Sequence, residues 1–200
     1  MKLRALLVIV GLGLLVALTS QFWIPFLGLA LVDTDPLAPA DAVLVVDGSG
    51  VRSMDVAEEW RQQGIVQTVV IVEAPLETHA LVTYWTDLVR AGLARPSPTP
   101  PEFLRVVRSD QSGPAAQARA ALPALQQVNA RSVIAMGGGL GSRLTRREIG
   151  GVLQPQGISL RVVAPGPPPH DPARWYAYAD DRRRVLGLWL QLLIPFLGSS

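Results

Sequence analysis

Two glycine-rich segments contain the residues of this sequence that are best suited to bind a ligand. They run from Asp47 to Arg52 and from Gly137 to Arg143, and each follows an apolar run that predicts a buried strand. Glycine lets backbone N–H groups approach a ligand, a following helix adds partial positive charge, and arginine pairs with phosphate or carboxylate. The segments are therefore either parts of an anion-binding site or ordinary tight turns between a strand and a helix.

Motifs that would specify a reaction are absent from the sequence. Gly48-x-Gly50 lacks the third glycine of the dinucleotide-binding motif, and neither a Gly-Lys-Ser/Thr sequence nor a Gly-x-Ser-x-Gly elbow occurs. His79 and His170 are far apart and have no clustered carboxylates, so no metal site is predicted. Asp47 stands at a predicted strand end, where a catalytic acid or metal ligand and a turn or helix-capping residue all fit. We therefore assign no catalytic residue, and the cofactor is unknown.

Alternating apolar and helical patterns predict the elements that would position these segments. Strands are expected at 42–46, 66–72, 103–107, 132–136 and 158–163, helices at 53–63, 76–91, 115–128 and 140–153, and a helical tail at 171–197 with a break at Pro195. Continuous apolar strands separated by helices are typical of a parallel sheet covered on both faces. We predict a three-layer, Rossmann-like α/β fold of about five strands. If the first and fourth strands are neighbours, both glycine-rich segments face one crevice.

The N-terminal region predicts a membrane anchor. No charged side chain occurs from Ala5 to Val32, which is longer than the roughly 20 residues that span a bilayer. Lys2 and Arg4 precede this run and acidic residues follow it, so the N-terminus is expected in the cytoplasm. A cleavable signal peptide would need a shorter apolar stretch and a better small-x-small site, so an uncleaved single-pass signal anchor (1–32) is favoured over it. The anchor is predicted in the inner or plasma membrane, followed by a linker (33–40) and a domain (41–200) in the periplasm or an equivalent lumen.

The C-terminal apolar run, Val185 to Leu197, permits two interpretations. Its 13 residues are too few to span a bilayer. It is either a helix that caps the core or one that lies at the membrane surface beside the arginines that precede it.

Composition excludes several classes of partner and chemistry. The formal net charge is +2, and Lys2 is the only lysine, so the basic character comes from arginine. No dense basic run with interleaved aromatic residues occurs, and nucleic acid is not a predicted partner. The absence of cysteine excludes disulfides, thiolate nucleophiles and lipoprotein acylation.

The region from Asp41 to about Leu190 resembles the YdcF-like family, which includes the SanA and ElyC envelope proteins of bacteria. The resemblance rests on Ala40-Asp41-Ala42-Val43-Leu44-Val45 before a glycine turn, and on Arg52, Gly64, Glu77, Gly92, Arg143 and Gly157-Ile158. It implies an α/β domain held outside the cytoplasm by N-terminal spans and a role in the biogenesis of the cell envelope.

The sequence departs from the family pattern at its polar motifs. Asp47-Gly48 replaces the Gly-Gly turn, the Ser-x-Asn-Thr-x-Glu-Asn motif keeps only Ser112, and Leu140 replaces the histidine of the Thr-Ser-x-x-His-x-x-Arg motif. Loss of that histidine removes the expected general acid or base. A non-catalytic, membrane-anchored structural or interaction subunit with a membrane-protein partner is therefore the leading hypothesis.

The alternative hypothesis is that the domain binds or processes an anionic envelope metabolite, such as a lipid-carrier phosphate, a sugar phosphate or a nucleotide-like ligand. Arg52 and Arg143 would then clamp the anion. The candidate ligand-binding residues are Asp47, Gly48, Ser49, Gly50, Arg52, Ser112, Gly137, Gly138, Gly139, Gly141, Ser142 and Arg143.

Overall fold

The computed structural model describes residues 18–20, 22–46, 50–78, 81–92, 94–137 and 139–197. The helices and strands, in chain order, are α1 (22–29), β1 (Ala40–Val45), α2 (Gly50–Gln62), β2 (Val66–Glu73), β3 (Leu76–Thr78), β4 (Leu81–Thr83), α3 (Trp85–Arg90), β5 (Leu104–Arg108), α4 (Pro114–Gln127), β6 (Ser132–Met136), α5 (Ser142–Leu153), β7 (Ser159–Val163) and α6 (Ala179–Leu197). Short 3-10 turns cover Gly139–Gly141, Gln154–Gln156 and Pro172–Ala177.

Five strands form one parallel sheet in the order β5-β2-β1-β6-β7. Val43 of β1 lies between Val69 of β2 and Ile134 of β6. After β1 the chain adds β2 and β5 on one side and then crosses to β6 on the other. The strand order therefore reverses between β1 and β6, and a crevice is expected beyond the carboxyl ends of these two strands. The predicted parallel sheet is confirmed.

Helices cover both faces of the sheet, as predicted. Leu44 and its neighbours on one face pack against Leu125 of α4 and Ile149 of α5. Val43 and the residues of the other face pack against Met54 and Trp60 of α2. Because successive side chains of a strand point to opposite faces, strands that are apolar throughout can supply both layers of the core.

The prediction of one helix over residues 76–91 is wrong. A short antiparallel hairpin of β3 and β4 comes first, and only Trp85–Arg90 is helical. Thr78, Val82 and Thr83 are β-branched, and such residues favour extended backbone. The buried carboxylate of Glu73 then positions α3, since the backbone N–H and the hydroxyl of Thr86 donate to it at 2.6 and 2.9 Å.

The predicted break at Pro195 is also wrong, because α6 continues to Leu197. Proline in a helix removes one backbone hydrogen bond. Here the loss falls in the last turn, and the helix ends two residues later.

The helix α1 is packed onto the C-terminal part of the chain. Its residues contribute to an apolar cluster, here called the α1–α6 cluster, that is centred on Leu31, Leu140, Leu144, Trp175, Val185 and Leu192. The indole N–H groups of Trp175 and Trp189 donate to the carbonyl oxygens of Ile24 (2.8 Å) and Leu27 (3.0 Å). One side of α6 therefore belongs to the core of the molecule.

Within the described ranges, no helix is both long enough and apolar enough to cross a membrane. Residues 1–17 and 21 of the predicted anchor lie outside these ranges, and the anchor stays a prediction.

Candidate functional site

A cavity of about 280 Å³, here called the strand-end cavity, lies beside the first turn of α2 and beyond the carboxyl ends of β6 and β7. Leu140 and the proline-rich segment 165–169 form much of its wall. Its charged or titratable side chains come from α2, from the loop after β7 and from α6. They are Arg52, His170, Asp181 and Arg184.

Arg52 and Arg184 place two cations at this cavity. The guanidinium of Arg52 lies across Gly166, where a β-carbon would be only 2.6 Å from Nη2. Arg184 Nη2 lies 3.5 Å from the position that a β-carbon of Gly141 would occupy. Among the described residues, neither guanidinium has an ion pair or a hydrogen bond. Two guanidinium groups and one carboxylate, that of Asp181, leave the cavity with a net positive charge, which suits phosphate or another carboxylate.

His170 is held rigidly at the same cavity. Its Nδ1 lies 2.8 Å from Oδ2 of Asp181, and its ring stacks on Tyr178 with a centroid separation of 3.6 Å. The carboxylate favours a proton on Nδ1, which leaves Nε2 as the ring nitrogen for a ligand. Asp181 is thereby engaged with His170 and, within the described part of the chain, forms no ion pair with either arginine.

The structure brings only part of the predicted site together. Arg52 and Gly139 line the strand-end cavity, and Gly50 begins α2 beside it. Gly141 ends the adjacent 3-10 turn, next to Arg184. The predicted residues Asp47, Gly48, Ser49 and Gly138 lie outside the described residues.

Gly137 and Ser142 have packing and hydrogen-bonding roles. A β-carbon at Gly137 would lie 2.9 Å from Val162 Cγ1, so glycine allows β6, β7 and α5 to meet closely. The hydroxyl of Ser142, which is fully buried, donates to the carbonyl oxygen of Gly139 (3.0 Å) and accepts from the backbone N–H of Asp33 (2.7 Å). These contacts join the turn after β6 to the segment that leads into β1.

Arg143 and Ser112 lie apart from the strand-end cavity. The side chain of Arg143 is exposed and does not line it, while its backbone N–H donates to the carbonyl oxygen of Leu31 at 3.1 Å. Ser112 lines a second, more open cavity of about 480 Å³ between α4, α5 and α6. The arginine that accompanies Arg52 is therefore Arg184.

Sequence reasoning missed His170, Asp181 and Arg184 as site residues. They come from a proline-rich loop and from the beginning of a helix whose apolar remainder indicated a packing role. The adjacent arginines at 182–184 were a visible signal of positive charge. Which of them faces a cavity depends on how α6 packs against α1 and the 3-10 turns.

Two acidic groups elsewhere serve the fold. Arg61 donates two hydrogen bonds to Glu58, at 2.7 and 2.8 Å, and holds the pKa of this carboxyl at about 2 despite its burial. The backbone N–H of Arg131 and the hydroxyl of Ser132 donate to Asp41 and lower its pKa. Asp41 thus ties the start of β1 to the start of β6.

No metal-binding group of three or more His, Asp or Glu side chains occurs in the ranges that the structure describes. The cavity chemistry observed there is that of two arginines and a carboxylate-bound histidine.

Comparisons with known proteins found only distant structural similarity. No family model matches the chain. No curated protein sequence matches it either. A solved structure of a protein from the universal stress protein family from Burkholderia pseudomallei is similar with 15% sequence identity and a TM-score of 0.32, over 62% of this chain and 95% of that chain. A likeness of this size carries no conclusion about the function of the present chain.

Proposed function

We propose that this protein is a membrane-anchored, extracytoplasmic α/β domain that binds an anionic metabolite of the cell envelope at the strand-end cavity. The proposal rests on one observation above all. Arg52 and Arg184, from two different helices, meet at a cavity next to the crevice expected between β1 and β6, and neither has a carboxylate partner among the described residues. Such a pair attracts a phosphate or carboxylate ligand.

The geometry supports binding better than turnover. Among the described residues that line the cavity there is no serine, threonine or cysteine that could act as a nucleophile. His170 is oriented by Asp181, and with the proton on Nδ1 its Nε2 accepts a hydrogen bond, which suits a hydroxyl group of the ligand. The resemblance to YdcF-like proteins, as a proposal, agrees with an envelope ligand such as a sugar phosphate or a lipid-carrier phosphate.

Thermal unfolding of the full chain in detergent tests the binding proposal. The probes are inorganic phosphate, a sugar phosphate, a nucleotide and a polyprenyl phosphate. A ligand at 100 times its Kd stabilises the folded state by about 2.7 kcal/mol, which raises Tm by roughly 5–10 °C for a chain of this size. Arg52→Ala and Arg184→Ala are each expected to abolish the shift.

Two matched variants serve as controls. Arg183→Ala removes the neighbouring arginine of α6, and Arg143→Ala removes the arginine predicted from sequence, and neither side chain lines the cavity. Both variants should keep the full shift. Absence of a shift with all four probes, or equal loss in Arg143→Ala and Arg184→Ala, would contradict the proposal.

The location of the domain is part of the proposal. Support comes from the uncharged run Ala5–Val32, preceded by Lys2 and Arg4 and followed by Asp33 and Asp35. An alkaline phosphatase reporter fused after Ser200 should be active, and a green fluorescent protein fused there through the general secretory route should be dark. The opposite pattern would place the domain in the cytoplasm.

A second candidate is a non-catalytic structural or interaction subunit. It is favoured by the packing roles of Gly137 and Ser142, since two of the predicted ligand-binding positions are already engaged inside the protein. Cross-linking of the full chain in its native membrane should then recover one stoichiometric partner while all four anions leave Tm unchanged. Ligand binding that depends on Arg52 and Arg184 would favour the first candidate.

A further inference from the structure

The helices α1 and α6 each expose a stripe of large apolar side chains. Phe22, Phe26 and Leu29 are 44–66% exposed on α1, and Leu186, Leu190 and Leu193 are 48–61% exposed on α6. Both sets have the spacing i, i+4, i+7, which places each set along one side of its helix. Stripes of this kind on two neighbouring helices mark a surface that meets something apolar.

The two stripes belong to helices that are fixed against each other. The adjacent side of α6, about 100° around the helix, presents Val185, Trp189 and Leu192 to the α1–α6 cluster, and Trp189 donates its indole N–H to the carbonyl oxygen of Leu27. Leu186, Leu190 and Leu193 are therefore not needed for the packing of α6 against α1.

The distribution of charge on α6 separates a polar start from an apolar remainder. Asp180, Asp181 and three consecutive arginines occupy the beginning of the helix, and no charged residue follows from Val185 to Leu197. Thirteen residues extend for about 20 Å, which is too short to span a bilayer but suits a helix in the plane of the interface. Adjacent arginines add attraction to anionic headgroups.

We infer that α6 lies in the outer interface of the bilayer, with Leu186, Leu190 and Leu193 among the lipid chains. This inference rests on the proposed membrane anchor. The helix α1 is the end of the uncharged run Ala5–Val32, so the chain leaves the bilayer at the place where α6 packs. A lipid surface is therefore what lies nearest to both stripes, ahead of a second copy of the chain.

With α6 in the bilayer interface, the domain has one orientation relative to the membrane. Arg184 directly precedes the apolar part of α6, so it lies at the level of the headgroups. The docking of α1 through Ile24 and Leu27 then prevents the domain from swinging freely on its anchor.

Single-cysteine labelling of the full chain in vesicles of phosphatidylglycerol and phosphatidylethanolamine tests this inference. The chain has no native cysteine, so Leu190→Cys, Leu193→Cys, Glu59→Cys and Leu14→Cys each carry one environment-sensitive fluorophore. Leu190 and Leu193 are exposed, so these substitutions should leave the fold intact, which circular dichroism verifies. Glu59 is an exposed control on α2, and Leu14 reports on the anchor.

The expected result is loss of most fluorescence at positions 190, 193 and 14 with spin-labelled lipids, and quenching by aqueous iodide at position 59 alone. Lipid quenching at 14 together with iodide quenching at 190 and 193 would overturn the seating of α6 and leave the anchor intact. No lipid quenching at 14 would overturn both. Protection of 190 and 193 from both quenchers would show that a protein covers the stripe, which also overturns the inference.

Discussion

The indole Nε1 of Trp175 donates a hydrogen bond to the carbonyl oxygen of Ile24, 2.8 Å away. This bond joins the last part of the uncharged N-terminal run to a 3-10 turn near the C-terminus. Leu31, two residues beyond α1, is completely buried in the same cluster. The end of the proposed anchor is thus packed into the α/β unit and is not a loose tether.

Gly28 is required for this docking. A β-carbon there would overlap the carbonyl oxygen of Pro172 and lie 2.5 Å from Trp175 Cδ1. Gly28→Ala is expected to lower the free energy of unfolding by about 1–3 kcal/mol, because α1 must move away from backbone that cannot yield. Thermal unfolding of the full chain in detergent measures the change.

Gly187→Ala is the matched control for Gly28→Ala. It lies in α6 with open space around its α-carbon, so alanine should leave Tm unchanged or raise it through helix propensity. Equal Tm values for Gly28→Ala and the parent protein would show that α1 is not closely docked.

Arg146 is expected to hold the segment before β1 against α5. Its Nε lies 3.0 Å from Asp33 Oδ2 and its Nη2 lies 2.7 Å from Asp35 Oδ2. Arg146→Met should cost about 1–3 kcal/mol, because it leaves partly buried carboxylates without their cation. Faster proteolysis within 33–39 and a lower Tm are the readouts, and Arg143→Met on the exposed side of α5 should change neither.

The stability that the Asp35 carboxylate contributes through Arg146 and the Val162 N–H depends on pH in a defined direction. Burial acts to raise the pKa of Asp35, but hydrogen bonds from the Val162 N–H and Arg146 outweigh it and lower the pKa. The stabilisation is therefore present above the ordinary pKa of 3.8 and is lost as pH falls through the lower folded value. A difference in Tm between Arg146→Met and the parent protein that grew on acidification would contradict this.

The ion pair between Glu58 and Arg61 is a second contact that acid is expected to weaken. Arg61 is the main cause that holds its pKa at about 2, against 4.5 ordinarily, so its contribution is complete above about pH 4.5 and disappears as pH falls through 2. Glu58→Gln should destabilise the protein by about 1–2 kcal/mol at pH 7, and this difference should shrink between pH 4.5 and 2. Chemical unfolding at a series of pH values provides the measurement.

Glu59→Gln is the control for Glu58→Gln, since Glu59 is exposed and its carboxylate accepts only from the Gln63 side chain among the described residues. Its stability should match the parent protein throughout. A constant difference for Glu58→Gln down to pH 2 would mean that the carboxylate is not the group that titrates.

A substitution at Gly137 distinguishes a packing role of this glycine from a ligand-binding role. A β-carbon would meet Val162 Cγ1 at 2.9 Å and Thr145 Cγ2 at 3.1 Å, and both belong to buried side chains. Gly137→Ala should cost about 1–3 kcal/mol. Its Tm should still rise with a bound anion by the same amount as in the parent protein.

Gly151→Ala in α5, where the added carbon meets open space, should be neutral. If Gly137→Ala kept its stability and lost the anion-induced shift, the glycine would be a ligand contact, as the sequence first suggested.

Much of the scaffold was predictable because its patterns are local. Residues 132–136 were expected as a strand and form one, and the helix at 115–128 differs from α4 by one residue at each end. Apolar strand runs between helices specify a covered parallel sheet by composition alone. The sequence pattern does not predict the hairpin of β3 and β4, because strands of three residues are too short to show a recognisable alternation of apolar and polar residues.

The sequence by itself determined the fold class and the paucity of catalytic motifs, and it predicted Arg52, which lines the cavity, as a ligand-binding residue. Only the tertiary structure decided that Arg184, His170 and Asp181 share a cavity with Arg52 while Arg143 and Ser112 do not. Periodicity and propensity act over a few neighbouring residues. The meeting of distant side chains depends on strand order and on the packing of α6 against α1 and the 3-10 turns, which are set by the core as a whole.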